Sequence, residues 1–299
     1  MSAMKVLLTG ATGRIGRELI AARPDGITIE SLLDPLDPQT PDTPWFRTDI
    51  ADRDKTIMAI TCSDPDVIIH CAALTDVDGC ERDPDLARRI NIDGTANVVD
   101  ACAECDAMMV YFSTDYVFDG RTGPYEESDQ PNPVSVYGRT KWEGEKVVNE
   151  WTDRHLILRI SVPFGRRRTG TGHNFVSWLA EELSQGREVR IVDDQFTTPA
   201  YMDELVETLW HFIQKGVTGT IHYGTADRMS RAEMAYELCD VLGVDRSLVS
   251  TLKTADLGFD AERPLESGFV TERLHELLGR PPIRFRNALV TMMENGPIF

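Results

Sequence analysis

A glycine-rich turn between an apolar strand and a helix, within the first twenty-two residues, constrains this sequence more than any other feature. Lys5 to Thr9 reads as the strand and Ile15 to about Ala22 as the helix. Between them runs Thr9-Gly10-Ala11-Thr12-Gly13-Arg14-Ile15-Gly16. Gly10 permits a tight turn, Gly13 lets backbone approach a pyrophosphate, and Gly16 lets helix and strand pack closely. The helix start then offers unpaired N–H groups and the positive end of its dipole to a phosphate. Thr12, Arg14 and Ile15 share the turn and are candidate contacts together with the three glycines. A glycine turn with no ligand is the plainer alternative. Its place directly after a strand and before a helix argues against that.

The first half of the chain repeats this alternation. Ile27 to Leu33 reads as a strand, and Pro35, Pro38, Pro41 and Pro44 then exclude a crossover helix and leave a loop. Trp45–Asp49 is a short strand, Asp52–Thr61 a helix, Val67–His70 a buried strand and Pro84 to about Glu104 one long helix. Met108–Phe112, Val134–Glu150 and Leu156–Ile160 follow as strand, helix and strand. Nearly continuous apolar, β-branched strands in such an order imply a parallel sheet covered on both faces. Right-handed crossovers make it a doubly wound α/β sheet. After Ser161 the elements are fewer: helices at Asn174–Gln185, Met202–Ile213 and Ser230–Leu242, strands at Val189–Val192 and Gly219–Tyr223. The expected division is a dinucleotide-binding domain over 1–165, with segments near 195–225 returning to it. A smaller C-terminal substrate-binding lobe over 166–299 is interleaved with it.

Composition narrows the function. A net charge of −18 argues against a nucleic-acid partner, which needs a basic face. Only 6 of the 31 basic residues are Lys, against 28 Asp, as in an ordinary acidic protein from a GC-rich genome, with a high-salt cytoplasm as the lesser alternative. No apolar run approaches the ~20 residues of a membrane span, and no basic, then apolar, leader is visible. No membrane partner is expected, and a reducing cytoplasm fits the cysteines best. Cys102-x-x-Cys105 has no second Cys/His pair at zinc-finger spacing, so no metal is expected.

Tyr137-Gly138-Arg139-Thr140-Lys141 sets a phenol and an ammonium four residues apart on one helical face. Hydride added to a carbonyl carbon leaves negative charge on oxygen, which a phenol can protonate. A nearby cation brings the tyrosine's pKa, about 10 when unperturbed, toward neutrality. Tyr-x-x-x-Lys alone is common by chance. Ser113-Thr114-Asp115 decides the matter, because it ends a strand at the carboxyl edge, where doubly wound sheets bind ligands. A hydroxyl there can hydrogen-bond a substrate carbonyl. The order of glycine turn, hydroxyl, phenol and ammonium points to nicotinamide-dependent keto reduction by Tyr137, Lys141 and a hydroxyl of Ser113-Thr114. Tyr137 and Lys141 would also touch the cofactor.

The spacing Gly-x-x-Gly-x-x-Gly resembles the extended short-chain dehydrogenases/reductases. The resemblance implies a Rossmann fold, with Asp49-Ile50 as the adenine-contacting pair. It also implies Cys71-Ala72-Ala73 passing under the cofactor and Asn91 as the helix asparagine. The longer string Ser113-Thr114-Asp115-Tyr116-Val117-Phe118-Asp119-Gly120 is similar to the dTDP-4-dehydrorhamnose reductase family. So are Asn132-Pro133, Asn174-Phe175, Asp193-Asp194-Gln195 and Arg263-Pro264. That likeness implies reduction of a nucleotide-linked 4-keto-6-deoxy sugar, with Thr114, Tyr137 and Lys141 catalytic and substrate contacts at Thr114, Asp115, Val117, Asn174 and Arg263. A homodimer is left open.

There are departures. Where that family has Ser-Trp-Val, this chain has Ser161-Val162-Pro163, so an aromatic face is missing. Leu265-Glu266-Ser267-Gly268 replaces an Asn-Ser-Arg-Leu-like string, and Arg166-Arg167-Arg168 could clamp a diphosphate or simply be solvated. Tyr116 stands where dehydratases carry a carboxylate, which argues against dehydration. An epimerase of the same superfamily remains an alternative. So does a non-catalytic regulatory subunit like the methionine adenosyltransferase beta subunit. Asp34, ending the second strand, favours NAD(H), while Arg14 and Arg17 favour the 2′-phosphate of NADP(H). Two cations against one acid tip the expectation toward NADPH, with both cofactors used.

Overall fold

The computed structural model describes residues 3–151, 153–167, 172–296 and 298–299. The chain forms two compact units. One comprises Met1–Val117, Ser135–Arg159 and Val206–Ile221, the other Phe118–Val134, Ile160–Leu205 and His222–Phe299.

The first unit carries the alternation. In chain order it contains β1 (Met4–Thr9), α1 (Arg14–Ala21), β2 (Ile27–Leu33), β3 (Trp45–Arg47), α2 (Arg53–Ser63) and β4 (Val67–His70). Then come α3 (Val77–Arg82), α4 (Pro84–Arg88), α5 (Gly94–Cys105), β5 (Met108–Thr114), α6 (Val136–Trp151) and β6 (His155–Phe164), whose last residues enter the second unit. The sheet order is β3-β2-β1-β4-β5-β6, with a later strand beyond β6. β1 pairs in parallel with both β2 and β4, and β4 with β5. Strand order therefore reverses between β1 and β4, the crevice where such sheets take a ligand. Leu7, Ile68, Met109 and Ile157 from the strands pack against Ile60, Val98 and Val148 from the helices.

The helix expected over Pro84–Glu104 is not continuous. A π-helical turn, Arg89–Asp93, separates α4 from α5. Asp83 starts α4 by accepting Leu86 N at 3.0 Å, with Pro84 in its first turn. The extra residue of the π turn aims Asn91 inward, and its side chain is buried. α3 is too short to show a helical period in sequence.

The second unit contains α7 (Phe175–Ser184), β7 (Val189–Val192), β8 (Phe196–Thr197), β9 (Pro199–Tyr201) and the start of α8 (Met202–Lys215). β10 (Gly219–Tyr223), the strand beyond β6, returns the chain to it. β11 (Met229–Ser230), α9 (Arg231–Leu242), β12 (Val249–Leu252), α10 (Glu272–Leu278) and α11 (Phe285–Glu294) follow. β9 pairs with the end of β6, β12 with β7 in parallel, and β11 with β8 in antiparallel. Phe164, Leu179, Leu238, Phe285 and Leu289 centre its core. Ser230 caps α9 reciprocally with Glu233.

Candidate active site

The glycine turn is built as its residues require. Gly10 has φ +66°, and a Cβ there would stand 2.7 Å from Ala72 N, so the turn lies directly against Cys71-Ala72. Gly16 departs from expectation. A Cβ on it would meet Gly10 O at 2.5 Å and Ala11 Cα at 2.7 Å, so it clears its own turn rather than the strand. Gly13 is the N-cap of α1 and no side chain caps that helix, which leaves backbone donors without an acceptor side chain at its start. Beneath the turn, Thr9 Oγ1 accepts Ala72 N at 3.1 Å and meets His70 Nδ1 at 2.7 Å. His70 Nε2 meets Thr95 Oγ1 at 3.2 Å. Burial, and then the charge of Lys141, pushes the His70 pKa down to about 3, so the ring is a neutral pin.

The proline loop after β2 holds a residue the sequence reading missed. Asp34 is exposed and its Oδ1 accepts Leu36 N at 2.7 Å. Asp37 is the acid that reaches the glycine turn, accepting a hydrogen bond from Thr12 Oγ1 that holds its carboxyl below the usual range. Arg17 donates from Nε to Thr12 O at 2.8 Å and also to the Gln39 side chain, and Arg47 donates to the Asp34 carbonyl at 3.0 Å. Prolines forbid regular structure here, so only these side-chain ties decide which acid comes to the turn.

Asp49 Oδ1 accepts Ala51 N at 2.9 Å, and Ile50 O accepts Asn97 Nδ2 at 2.8 Å. Asn91 accepts Leu74 N at 2.8 Å and donates to Leu74 O and Thr140 Oγ1, each at 3.0 Å. Its amide thus ties the segment after Ala73 to α6.

β5 and α6 bring the catalytic candidates together. Thr114 Oγ1 donates to Asp115 Oδ1 at 3.3 Å, accepts Tyr116 N at 3.2 Å and lies near the Tyr137 phenol. The Tyr116 ring meets Tyr137 edge-on, centroids 5.6 Å apart. Burial pushes the Tyr137 pKa up, opposite to the fall expected from the neighbouring Lys141, so the phenol keeps its proton at neutral pH. That is the form an acid needs. Burial pushes Lys141 down to about 7, partly offset by Glu145. Glu81, unforeseen in the sequence, accepts Val136 N at 2.9 Å and so satisfies the first turn of α6, one residue before Tyr137. Ser113 Oγ, the other hydroxyl of the Ser113-Thr114-Asp115 string, is buried with no partner among the described residues and lies on the Tyr111 side of β5. An uncapped helix start, a tight glycine turn and a waiting hydroxyl fit a dinucleotide.

Two expected substrate contacts change character. Val117 is 0% exposed, so its side chain is closed to a ligand. Asn174 is the N-cap of α7, accepting Ser177 N at 3.0 Å and donating to Gly165 O at 2.7 Å, so its amide serves the fold. Arg263 is half-buried, with its guanidinium 4.2 Å above the Phe259 ring. Val162, where the resemblance implied a Trp, has φ +43° at an irregularity in the β6–β9 pairing. That is a strained conformation for a β-branched residue. Arg166 and Arg167 bond to the carbonyl of Asn295 and, through the Arg167 amide at 3.0 Å, to that of Ile298; Arg168 lies outside the described residues. Among the described residues no group of His, Cys, Asp and Glu could hold a metal. No helix there is long and apolar enough to cross a membrane.

A family model for the RmlD substrate binding domain matches residues 4–297. The chain belongs to that family. It is 34% identical over 267 residues to the probable low-salt glycan biosynthesis reductase Agl14 of Haloferax volcanii, covering 88% of this chain and 89% of that protein. It is 32% identical over 300 residues to dTDP-4-dehydrorhamnose reductase of Mycobacterium tuberculosis, covering 97% and 92%. The crystal structure of dTDP-4-dehydrorhamnose reductase from Bacillus anthracis in complex with NADP superposes with a TM-score of 0.83 at 29% identity. The match covers 98% of this chain and 99% of that one.

Proposed function

We propose that this protein is an NAD(P)H-dependent reductase of a nucleotide-linked 4-keto-6-deoxy sugar. The observation that carries this reading is the placement of Thr114, at the carboxyl end of β5, near the buried Tyr137 phenol, with Lys141 one turn further along the same helix. Gly10, Thr12, Gly13, Arg14, Ile15 and Gly16 would hold the pyrophosphate, and Asp49 and Ile50 the adenine. Cys71, Ala72 and Ala73 would lie under the cofactor, with Asn91 fixing that segment. The first unit would be the dinucleotide-binding domain and the second the substrate-binding lobe. Arg263 would meet the substrate's phosphates, and Asn174 would support the turn before α7.

When bound, the reduced nicotinamide supplies a hydride to the keto carbon. Thr114 donates to the carbonyl oxygen and holds it beside Tyr137. The phenol of Tyr137 then gives that oxygen its proton, and solvent restores the phenol. Asp115, next to Thr114, would orient a sugar hydroxyl. Lys141 steadies the developing phenolate and holds ribose hydroxyls.

The test is absorbance of NADPH and NADH with a panel of nucleotide-linked keto-sugars. At least one member should be reduced. Tyr137→Phe should lose about 10²-fold or more in kcat with dinucleotide binding nearly intact. Dinucleotide binding without turnover on any panel member, together with capture of an adenosyltransferase, would replace this reading with a regulatory one.

A further inference from the structure

Lys141 is a buried cation whose obvious counter-charge is already taken. Glu145, one turn further along α6, is engaged at both carboxylate oxygens by Arg159. The other titratable neighbours carry no charge at neutral pH, since burial holds the Tyr137 phenol and the Cys71 thiol protonated and the His70 ring neutral. What stands next to the ammonium is a ring: Lys141 Nζ lies 4.0 Å from the centroid of Tyr111, and both residues are buried.

That ring is firmly held. The phenol of Tyr111 donates to the Lys141 carbonyl at 3.4 Å. It occupies the space left by Gly144, where a Cβ would come within 2.2 Å of the Tyr111 hydroxyl oxygen. The His70 ring stacks against it with centroids 5.9 Å apart and planes 26° apart. The hydroxyls of Thr9 and Thr95 fix His70 in turn.

We propose that Tyr111 is a positioning residue, a π-face platform that holds the ammonium of Lys141 in place and in its charged form. The chemistry of the platform matters. A carboxylate at this spot would neutralise the cation and take up its N–H donors. A ring face attracts the charge through its quadrupole and leaves all three donors for other partners. This deepens the catalytic reading and rests on it only for its consequence, that those donors serve ribose and Tyr137.

The experiment is NMR of the full chain with ε-¹³C-labelled lysine, without dinucleotide. Six resonances are expected, from Lys5, Lys55, Lys141, Lys146, Lys215 and Lys253, and the signal missing from Lys141→Met is that of Lys141. The Lys141 signal should be shifted by the ring current of Tyr111. Tyr111→Phe should keep that shift and the titration midpoint. Tyr111→Leu should lose the shift and lower the midpoint by about one pH unit, and the alkaline limb of kcat should move down with it. If Tyr111→Leu does not fold, the wild-type shift and the Phe variant still decide. A Lys141 signal at the position of the exposed lysines, or an unchanged midpoint in folded Tyr111→Leu, would overturn the platform. Normal turnover by Lys141→Met would instead remove the catalytic reading and leave the NMR result standing.

Discussion

Glu145 on α6 and Arg159 on β6 form a buried two-point ion pair, with Nε to Oε1 at 2.9 Å and Nη2 to Oε2 at 2.7 Å, and side chains 0% and 4% exposed. The pair anchors the helix of Tyr137 and Lys141 to the sheet. Arg159→Met should cost about 3–5 kcal/mol in denaturant unfolding, because it leaves Glu145 buried and unpaired. Glu145→Leu combined with Arg159→Met should recover most of that. Equal losses in the single and double variants would assign the cost to packing instead.

Lys141 makes stability depend on pH with a definite sign. Its folded pKa is about 7, against about 10.4 in an unfolded chain. Between those values the unfolded state binds more protons, so this group makes stability rise with pH by at most about 1.4 kcal/mol per unit. Below pH 7 both states are protonated and the slope vanishes. Denaturant midpoints from pH 7 to 9.5 should therefore rise more steeply in the wild type than in Lys141→Met. Parallel curves would contradict it.

Gly120 should matter for substrate and not for dinucleotide. It has φ +66°, its carbonyl accepts Glu266 N at 2.7 Å, and a Cβ there would stand 2.4 Å from Pro264 Cα. Gly120→Ala pushes Pro264, and with it Arg263. The expected loss in kcat/KM for the sugar nucleotide is roughly 10- to 100-fold, with an unchanged dinucleotide Kd by titration. A matching loss of dinucleotide affinity would point to general damage.

Gly13 has an ordinary φ of −69°, and a Cβ there meets Gly10 O at 3.1 Å as its one near neighbour. Gly13→Val should therefore fold, with a melting temperature near that of the wild type, and fail to bind dinucleotide by calorimetry. Normal binding would take the turn out of the site.

Cofactor choice should respond to opposite charges at the turn. Arg14→Ala should weaken NADPH more than NADH, and Asp37→Ala should favour NADPH, both by fluorescence titration at one fixed salt concentration. Losses independent of the 2′-phosphate would exclude both roles.

The local sequence determined the doubly wound sheet and the glycine turn and pointed to Tyr137 and Lys141, with Thr114 named by resemblance. Strand and helix periods, turn glycines and an i, i+4 pair are all short-range signals. Tertiary structure alone decided the rest. Asp37 rather than Asp34 meets Thr12 because prolines erase any period between them. The two- and three-residue strands β8, β9 and β11 are too short to carry one. Val117 and Asn174 were named by resemblance, but burial and helix capping claim their side chains. Glu81 and Tyr111 act on α6 from elsewhere in the chain, 55 residues before Val136 and 30 before Lys141. Such contacts are set by packing across the sheet, and no local pattern in the chain encodes them.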